Sequence, residues 1–373
     1  MNAPPEQSTR DHEQSGAAQP SPTGRSSFAA TSLHHGRLPR WFPGAVLVGV
    51  STAVGGILGV TGFSIPTFVI VTAGISWLVI HVSARVVEGR RKALDRTVTM
   101  LVTAAFLAAL LPLVSVLYTV VSEGIDRFDV ELFTFSQAGI ISSGAGGVYH
   151  AIIGTLVTTG LATLISVPIG ILTAIYLVEY GRGRLKTALT VFVDIMVGIP
   201  SIVAGLFAYA VFALLFGPGV TFGAMGSVAL AVLMIPIVVR STEEMLRVVP
   251  TDLREAALAL GVPTWRVILR VVLPTAAAGI ASGVTLAIAR IVGETAPLLV
   301  TVGLAAGTNW NPFDGPMATL SVFAYDTYQN PGVPQEPSFD LAWSAALLLI
   351  IIVLVLNLAG RLAARFFSPR TRN

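Results

Sequence analysis

Two ionisable residues, Arg290 and Glu294, lie inside a long apolar stretch, residues 276–304. A charge in the middle of a bilayer costs ~2.5–3.5 kcal/mol on insertion scales, so both side chains are expected to face protein or a water-filled path. At a spacing of four residues they share one face of a helix. A guanidinium keeps its charge and offers a planar fork of donors to the oxygens of a tetrahedral oxyanion. The pair therefore predicts either an anion path or an ion pair that only holds helices together.

A second group of polar residues forms an island between apolar stretches, with the sequence TDLREAALALGVPTWRVILRVVLP. Asp252 and Glu255, three residues apart, predict a capping box that opens a nine-residue helix, and Gly261 predicts its left-handed stop. Pro263 predicts the start of a second helix, which Pro274 would end. A helix as short as the first is marginal alone in water, so it requires a partner. We expect that partner to be another protein.

The composition places these residues in a membrane protein. Of 373 residues, 54% are hydrophobic and only 12% are charged, and the mean hydropathy is +0.78. Such values indicate several membrane spans rather than soluble domains. The absence of cysteine excludes disulfides, zinc–thiolate sites and iron–sulfur sites. The basic pI of 9.4 does not indicate nucleic-acid binding, because the charges flank apolar runs as membrane topology requires.

Eight apolar runs are long enough to cross a bilayer, which takes roughly 20 residues each. They are residues 44–62, 64–83, 98–121, 148–178, 190–216, 222–239, 276–304 and 341–360. Prolines in the fourth to seventh runs predict broken helices that line a path. These are Pro168, Pro200, Pro236 and Pro297. Asp194, near one end of the fifth run, can reach the membrane interface and is assigned no role.

Basic residues set the predicted orientation. With both termini in the cytoplasm, 21 of the 23 lysines and arginines fall on the cytoplasmic side, which is the expected positive-inside pattern. Arg127 alone lies outside, and Arg290 lies within the membrane. The polar island is then cytoplasmic. The outer segments, residues 123–147 and 305–340, are acidic, and they are either docking surfaces or ordinary solvated loops.

The polar island resembles the EAA signature of binding-protein-dependent ABC importer permeases. The matching residues are Glu255, Ala256, Ala257, Gly261, Leu273 and Pro274. Only the isoleucine of that signature differs, and here it is Val271. In that family this loop is a coupling helix that sits in a groove of an ATPase subunit, so the resemblance implies an ATPase-coupling role for these residues. The alternative is an ordinary amphipathic loop in which Glu255 only caps a helix.

The segment RIVGETAPLL at residues 290–299 resembles the phosphate ABC permeases of the PstA type, as does GIPSIVAGLF at 198–207. The resemblance covers about residues 128–373. It implies that Arg290 and Glu294 are the intramembrane charged pair of the substrate path, in which Glu294 can hold Arg290 when the path is empty. Arg240 would be a second arginine near that path. The implied fold is an all-α polytopic type I ABC importer permease core of six helices, with an additional N-terminal transmembrane hairpin and about eight spans in total.

This interpretation gives four regions. Residues 1–40, rich in Pro, Ser, Gln and Gly, are expected to form a disordered cytoplasmic tail. Residues 41–97 form the additional hairpin and a basic cytoplasmic loop. Residues 98–364 form the permease domain, with the cytoplasmic coupling loop at 240–275, and residues 365–373 form a second cytoplasmic tail.

The expected function is that of a pore subunit and not of an enzyme. The chain has no G-x-x-x-x-G-K-[ST] phosphate loop and no recognisable catalytic or metal-ligating constellation, so we expect no cofactor of its own and ATP to be bound by a partner. The resemblance implies phosphate as substrate, a PstC-like second permease subunit, a PstB-like ATPase dimer and a periplasmic or lipid-anchored PstS-like binding protein, in the lipid of a bacterial inner membrane. Alternatives are a permease for sulfate or molybdate, and an ion-coupled secondary transporter that uses Arg290 and Glu294 as a relay.

Overall fold

The structure is a computed structural model that describes residues 38–39, 41–62, 64–138 and 146–367. Every regular element in these ranges is a helix, which confirms the predicted all-α class. The chain divides into two compact units, Met1–Leu110 and Leu111–Asn373. The predicted tail at residues 1–40 lies almost entirely outside the described residues, and so does most of the predicted C-terminal tail.

The first unit contains the predicted helical hairpin. Helix α1, Phe42–Thr61, packs against helix α2, Ile65–Val87, and α3, Arg90–Gly124, begins after a short turn. Both α1 and α2 are apolar over their lengths and are long enough to cross a membrane. Helix α3 begins eight residues before the predicted third span at residue 98, so much of the predicted basic loop is helical.

The turn between α2 and α3 is held by Glu88. Its buried carboxylate accepts hydrogen bonds from the Leu38 amide at 2.7 Å and from Arg96 Nε at 2.8 Å. Burial alone raises the pKa of the Glu88 carboxyl, but the bonds from Arg96 and Leu38 outweigh burial and hold that pKa below its ordinary value. Glu88 therefore remains ionised and fixes the start of α3.

The second unit consists of further helices in chain order. They are α4 Val130–Thr134, α5 Tyr149–Ile175, α6 Gly183–Val197, α7 Ser201–Phe216, α8 Gly223–Val248, α9 Thr251–Ala259, α10 Thr264–Val267, α11 Leu273–Val292, α12 Ala296–Leu299, α13 Leu320–Gln329 and α14 Glu336–Phe367. A π-helical turn, Tyr176–Tyr180, extends α5, and a second one, Ile268–Val272, joins α10 to α11.

Helix α8 is the centre of this unit. It packs against α5 along most of its length and also contacts α6, α7 and α11, while α14 packs against α11 and α13. Leu230, Met234 and Val238 of α8 are fully buried. Gly170 of α5 allows α5 and α8 to approach closely, because a Cβ at this position would lie 2.6 Å from Val238 Cγ1. Small residues at such crossings allow helices to pack closely inside a membrane.

Two of the predicted spans are interrupted. The run predicted at residues 190–216 is two helices, α6 and α7, bent by 109° at a short break before Ser201. The run predicted at 276–304 ends as a helix at Val292. Pro200 and Pro297 lie at these breaks, as predicted, whereas Pro168 and Pro236 lie inside continuous helices. The missing hydrogen bond at each interior proline is one among many in a long packed helix, so it does not break the helix.

The span count agrees with the prediction of about eight spans. Within the described residues, seven helices are long and apolar enough to cross a membrane, and the bent α6–α7 pair brings the number to eight if it forms a single crossing. Pro200, with φ −58° and ψ 137°, has the extended backbone that produces the bend. Hydropathy alone merged the two helices because it carries no information on backbone angles.

Candidate functional site

The helix that contains the EAA residues is formed as predicted, but its start differs. Helix α9 begins at Thr251, follows Pro250, and has no side-chain cap. The predicted capping box is therefore wrong, because Asp252 lies within the first turn instead of before it. There its carboxylate faces the positive end of the helix, which is favourable without a capping bond. Gly261 has φ +77°, which confirms the predicted left-handed stop.

The second helix of the loop does not end where the sequence predicted. Helix α10 continues through the π-helical turn Ile268–Val272 into α11, and Pro274 lies in the first turn of α11. A π-turn changes the hydrogen-bond spacing, so a residue without an N–H can be accommodated there without a break. Pro263 immediately precedes α10. The arrangement of helix, glycine turn and helix is confirmed, and the predicted end at Pro274 is wrong.

The rest of the described chain covers α9 only at Arg254 and Ala257. None of its residues is buried, Glu255 and Ala256 are exposed, and Ala257 is half-buried. Leu260, immediately after the helix, is 84% exposed, and Trp265 at the start of α10 is 53% exposed. Leu273, by contrast, is half-buried against the body of the unit. Exposed apolar residues grouped around this loop form a surface that a protein partner could cover.

Arg254 attaches α9 to the rest of the unit, a role that sequence analysis missed. Its guanidinium forms an ion pair with Glu179 at 3.0 Å and donates hydrogen bonds to the carbonyl oxygens of Val249 at 2.8 Å and Leu246 at 2.7 Å. The side chains of Arg254 and Glu179 are 18% and 10% exposed. We call this set of four residues the Arg254 clamp. It joins α9 to the end of α8 and to the π-helical turn that extends α5.

Arg290 and Glu294 do not form the predicted pair on one helical face. Helix α11 ends at Val292, and Gly293 follows it, so Glu294 lies beyond the helix. Within the described residues no ion pair links the two side chains, and Arg290 is exposed in the last turn of α11. The backbone carbonyl of Glu294 accepts a hydrogen bond from Ser321 Oγ at 2.9 Å. The four-residue spacing predicted a shared face only for an unbroken helix, and this helix is broken.

Arg240 is held in a network of charges on α8 and α6. Its guanidinium pairs with Asp194 of α6 and donates to Glu243 Oε2 at 2.7 Å, and Arg247 donates to Glu243 Oε1 at 2.5 Å. Only 6% of the Glu243 side chain is exposed. We call Asp194, Arg240, Glu243 and Arg247 the α6–α8 network. The spacings of three and four residues around Glu243 are a signal that sequence analysis could have used.

The two arginines assigned to the path lie at different depths. Gly283 of α11 is so close to Ser241 of α8 that a Cβ at Gly283 would lie 2.7 Å from the serine Cβ. Arg240 precedes Ser241, whereas Arg290 is seven residues beyond Gly283. Seven residues of helix correspond to about 10 Å. Arg240 and Arg290 are therefore separated by about two helical turns along the direction of α11.

Helix α9 is a short, exposed helix in a chain whose described part contains seven helices that are long and apolar enough to cross a membrane. Residues 166–373 match the family described as binding-protein-dependent transport system inner membrane component. The chain is 46% identical over 290 residues to phosphate transport system permease protein PstA of Mycobacterium leprae, covering 77% of this chain and 93% of that protein. It is 41% identical to the PstA protein of Pasteurella multocida, covering 73% and 95%. The chain belongs to this family of inner-membrane permeases, in its PstA group.

Solved structures support the fold. A bacterial alginate ABC transporter in complex with a periplasmic protein bound to an alginate pentasaccharide superposes with a TM-score of 0.53 at 17% identity, over 75% of this chain and 99% of that chain. A second structure, of a bacterial ABC transporter involved in alginate import, has a TM-score of 0.50 at 16% identity, over 75% and 100%. At these identities the likeness concerns the fold alone.

Proposed function

We propose that this chain is the membrane-spanning PstA-type subunit of an ATP-driven phosphate importer. It forms half of the translocation path and is driven by a separate ATPase. The observation that carries this conclusion is the near full-length relationship to proteins named as phosphate transport permeases, at 46% identity over 93% of the Mycobacterium leprae protein. A relationship of this extent, over 77% of this chain, is much more specific than the fold.

The substrate path uses Arg290 and Arg240 at two levels. Arg290 is exposed and has no carboxylate partner within the described residues, so its guanidinium is available to a phosphate. Arg240 is already paired with two carboxylates, and an anion must compete with them. A weakly held anion can leave as well as enter, which transport requires. Glu294, which lies beyond the end of α11, places a negative charge close to Arg290 in the chain and opposes tight retention.

The partners follow from this role. A second permease of the PstC kind completes the pore, a PstB-like ATPase dimer binds ATP and receives α9, and a PstS-like protein delivers phosphate from the periplasm. The chain needs no cofactor of its own. It lies in the bacterial inner membrane with both termini in the cytoplasm, because that orientation places 21 of 23 basic residues on the inner side.

Reconstitution tests this function. The chain is assembled with the three partners in proteoliposomes that hold ATP inside, and the binding protein and radiolabelled phosphate are added outside. We expect uptake that needs both ATP and the binding protein and that persists after proton and sodium gradients are collapsed. Sulfate and molybdate in excess should not compete. Competition by either oxyanion would indicate a permease for that anion, and uptake that follows an ion gradient without ATP would indicate a secondary transporter.

A further inference from the structure

The polar attachment of α9 to the membrane body comes from one side chain, and Ala257 adds apolar packing. In the part of the chain that the structure describes, the hydrogen bonds and ion pairs from α9 side chains to other elements all come from Arg254. Only Arg254 and Ala257 of this helix are half-buried, and its other residues are exposed. Its apolar packing on the body is therefore small, and the Arg254 clamp supplies its polar contacts with α8 and with the π-helical turn that extends α5.

The Arg254 guanidinium makes two kinds of contact: it caps the end of α8, and it pairs with Glu179. The last carbonyl groups of a helix have no intrahelical partner and carry partial negative charge. The Arg254 guanidinium donates to the carbonyls of Leu246 and Val249, so it caps α8 with a positive group. The same guanidinium reaches Glu179 with its Nε and Nη2 atoms, at 3.2 and 3.0 Å. A lysine could not make these four contacts, because an ammonium presents its three donors from a single point.

The two helices joined by the clamp are those at the centre of the unit. Glu179 lies in the π-helical turn at the end of α5, and α5 packs against α8 along most of its length. Arg240 and Glu243 lie on α8 within three turns of the clamped carbonyls. The clamp therefore connects α9 to the helix that carries the α6–α8 network.

We propose that Arg254 is a positioning residue that couples α9 to α5 and α8, with Glu179 as its ionic partner. The proposal rests on the proposed function, in which a separate ATPase moves α9. ATP hydrolysis by the partner then moves the two central helices only when the clamp is intact. Without the clamp, α9 still docks on the ATPase but moves independently of the transmembrane body.

The test compares Arg254→Gln with Arg270→Gln in the complete reconstituted transporter. Arg270 belongs to the same loop, carries the same charge, is exposed, and makes no ion pair or side-chain hydrogen bond in the described structure, so it is a matched control. Phosphate transported per ATP hydrolysed is measured on assembled complexes. We expect this ratio to fall at least about tenfold in Arg254→Gln, because the loss of a single charge-assisted hydrogen bond already has that effect, and to stay at the wild-type value in Arg270→Gln.

Two further variants separate coupling from folding. Arg254→Lys keeps the charge but loses the fork and should recover only part of the ratio. Glu179→Gln keeps an acceptor and should lower the ratio less than Arg254→Gln does. A reduced amount of assembled complex with an unchanged ratio in all three variants would assign the clamp to stability alone and overturn the proposal.

A distance measurement makes the test independent of transport. The chain has no native cysteine, so spin labels can be placed at Leu260, next to α9, and at Tyr180, at the end of the α5 extension, both exposed. We expect a narrow distance distribution in wild type and a broad one in Arg254→Gln. An unchanged distribution would refute the clamp. If wild-type complexes hydrolyse ATP without moving phosphate, the proposed function fails, and the clamp is judged by the distance distributions.

Discussion

Arg290→Gln is the substitution that most directly tests the substrate path. Glutamine keeps much of the length of arginine and some of its hydrogen-bonding capacity but removes the charge. Arg290 is exposed in the last turn of α11 and has no ion-pair partner within the described residues. The change therefore removes a charge without leaving a buried carboxylate unpaired.

The expected magnitudes follow from this environment. Breaking a buried ion pair costs about 3–5 kcal/mol, but this penalty does not apply here, so the amount of assembled complex should stay near the wild-type value. A hydrogen bond to a charged group contributes about 1.5–3 kcal/mol. Since 1.4 kcal/mol corresponds to a factor of ten, loss of one such bond to phosphate should reduce uptake roughly 10- to 140-fold.

The assay is uptake of radiolabelled phosphate, normalised to the amount of assembled complex. Arg290→Lys retains the charge and should lose less activity than Arg290→Gln. The double variant Arg290→Gln with Glu294→Gln should be no better than the single variant, because the two side chains are not paired in the structure. Restoration of uptake by the double variant would mean that Arg290 only neutralises Glu294, and near-normal uptake by Arg290→Gln would refute phosphate contact.

Three other outcomes are expected. Arg240→Gln leaves the buried Glu243 with one arginine partner, so the complex should lose about 1–3 kcal/mol of stability and show a lower midpoint of thermal unfolding. Adding Glu243→Gln to the same chain should partly restore that midpoint. Gly261→Val places a β-branched residue at positive φ, which costs about 1–2 kcal/mol of strain. It should therefore reduce stimulation of the partner ATPase more than Gly261→Asn does. Equal effects of the two substitutions would show that the left-handed backbone of Gly261 is not what matters. A cysteine introduced at Val333 should react with a membrane-impermeant thiol reagent added outside, whereas a cysteine at Leu260 should not. Labelling at Leu260 would mean that the proposed orientation is reversed.

The apolar runs predicted the membrane-crossing helices well because burial in lipid depends on composition, which a sequence displays directly. They failed at residues 198–200, where α6 and α7 bend by 109°. A sum of hydropathies is nearly the same for one long helix and for two bent ones. The local signal was Gly198 followed by Pro200, since glycine ends helices and a residue before proline avoids the helical region.

Periodic spacing has a related weakness, visible at both predicted polar sites. Arg290 and Glu294 share a face only if the helix continues between them, and Gly293 and the nearby Pro297 end it instead. The predicted capping box at Asp252 is wrong because the helix begins one residue earlier, at Thr251. Residue spacing alone does not distinguish between neighbouring start positions of a helix. The left-handed position of Gly261 was predictable because glycine has a specific conformational reason to be there.

The three arginines Arg240, Arg254 and Arg290 have the same chemistry, and the sequence could assign roles to two of them only through resemblance. Their partners decide what each does. The Arg254 clamp joins residues 75 positions apart, a pairing that no local pattern contains, and its other acceptors are backbone carbonyls that exist only once α8 has ended. Arg240 is paired, Arg254 is clamped, and Arg290 is free of carboxylates within the described residues. The same change to glutamine should therefore produce three different defects: loss of stability together with weaker uptake for Arg240, loss of coupling for Arg254, and loss of uptake alone for Arg290. If all three variants shared one phenotype, the different surroundings of the three guanidinium groups would not determine their roles.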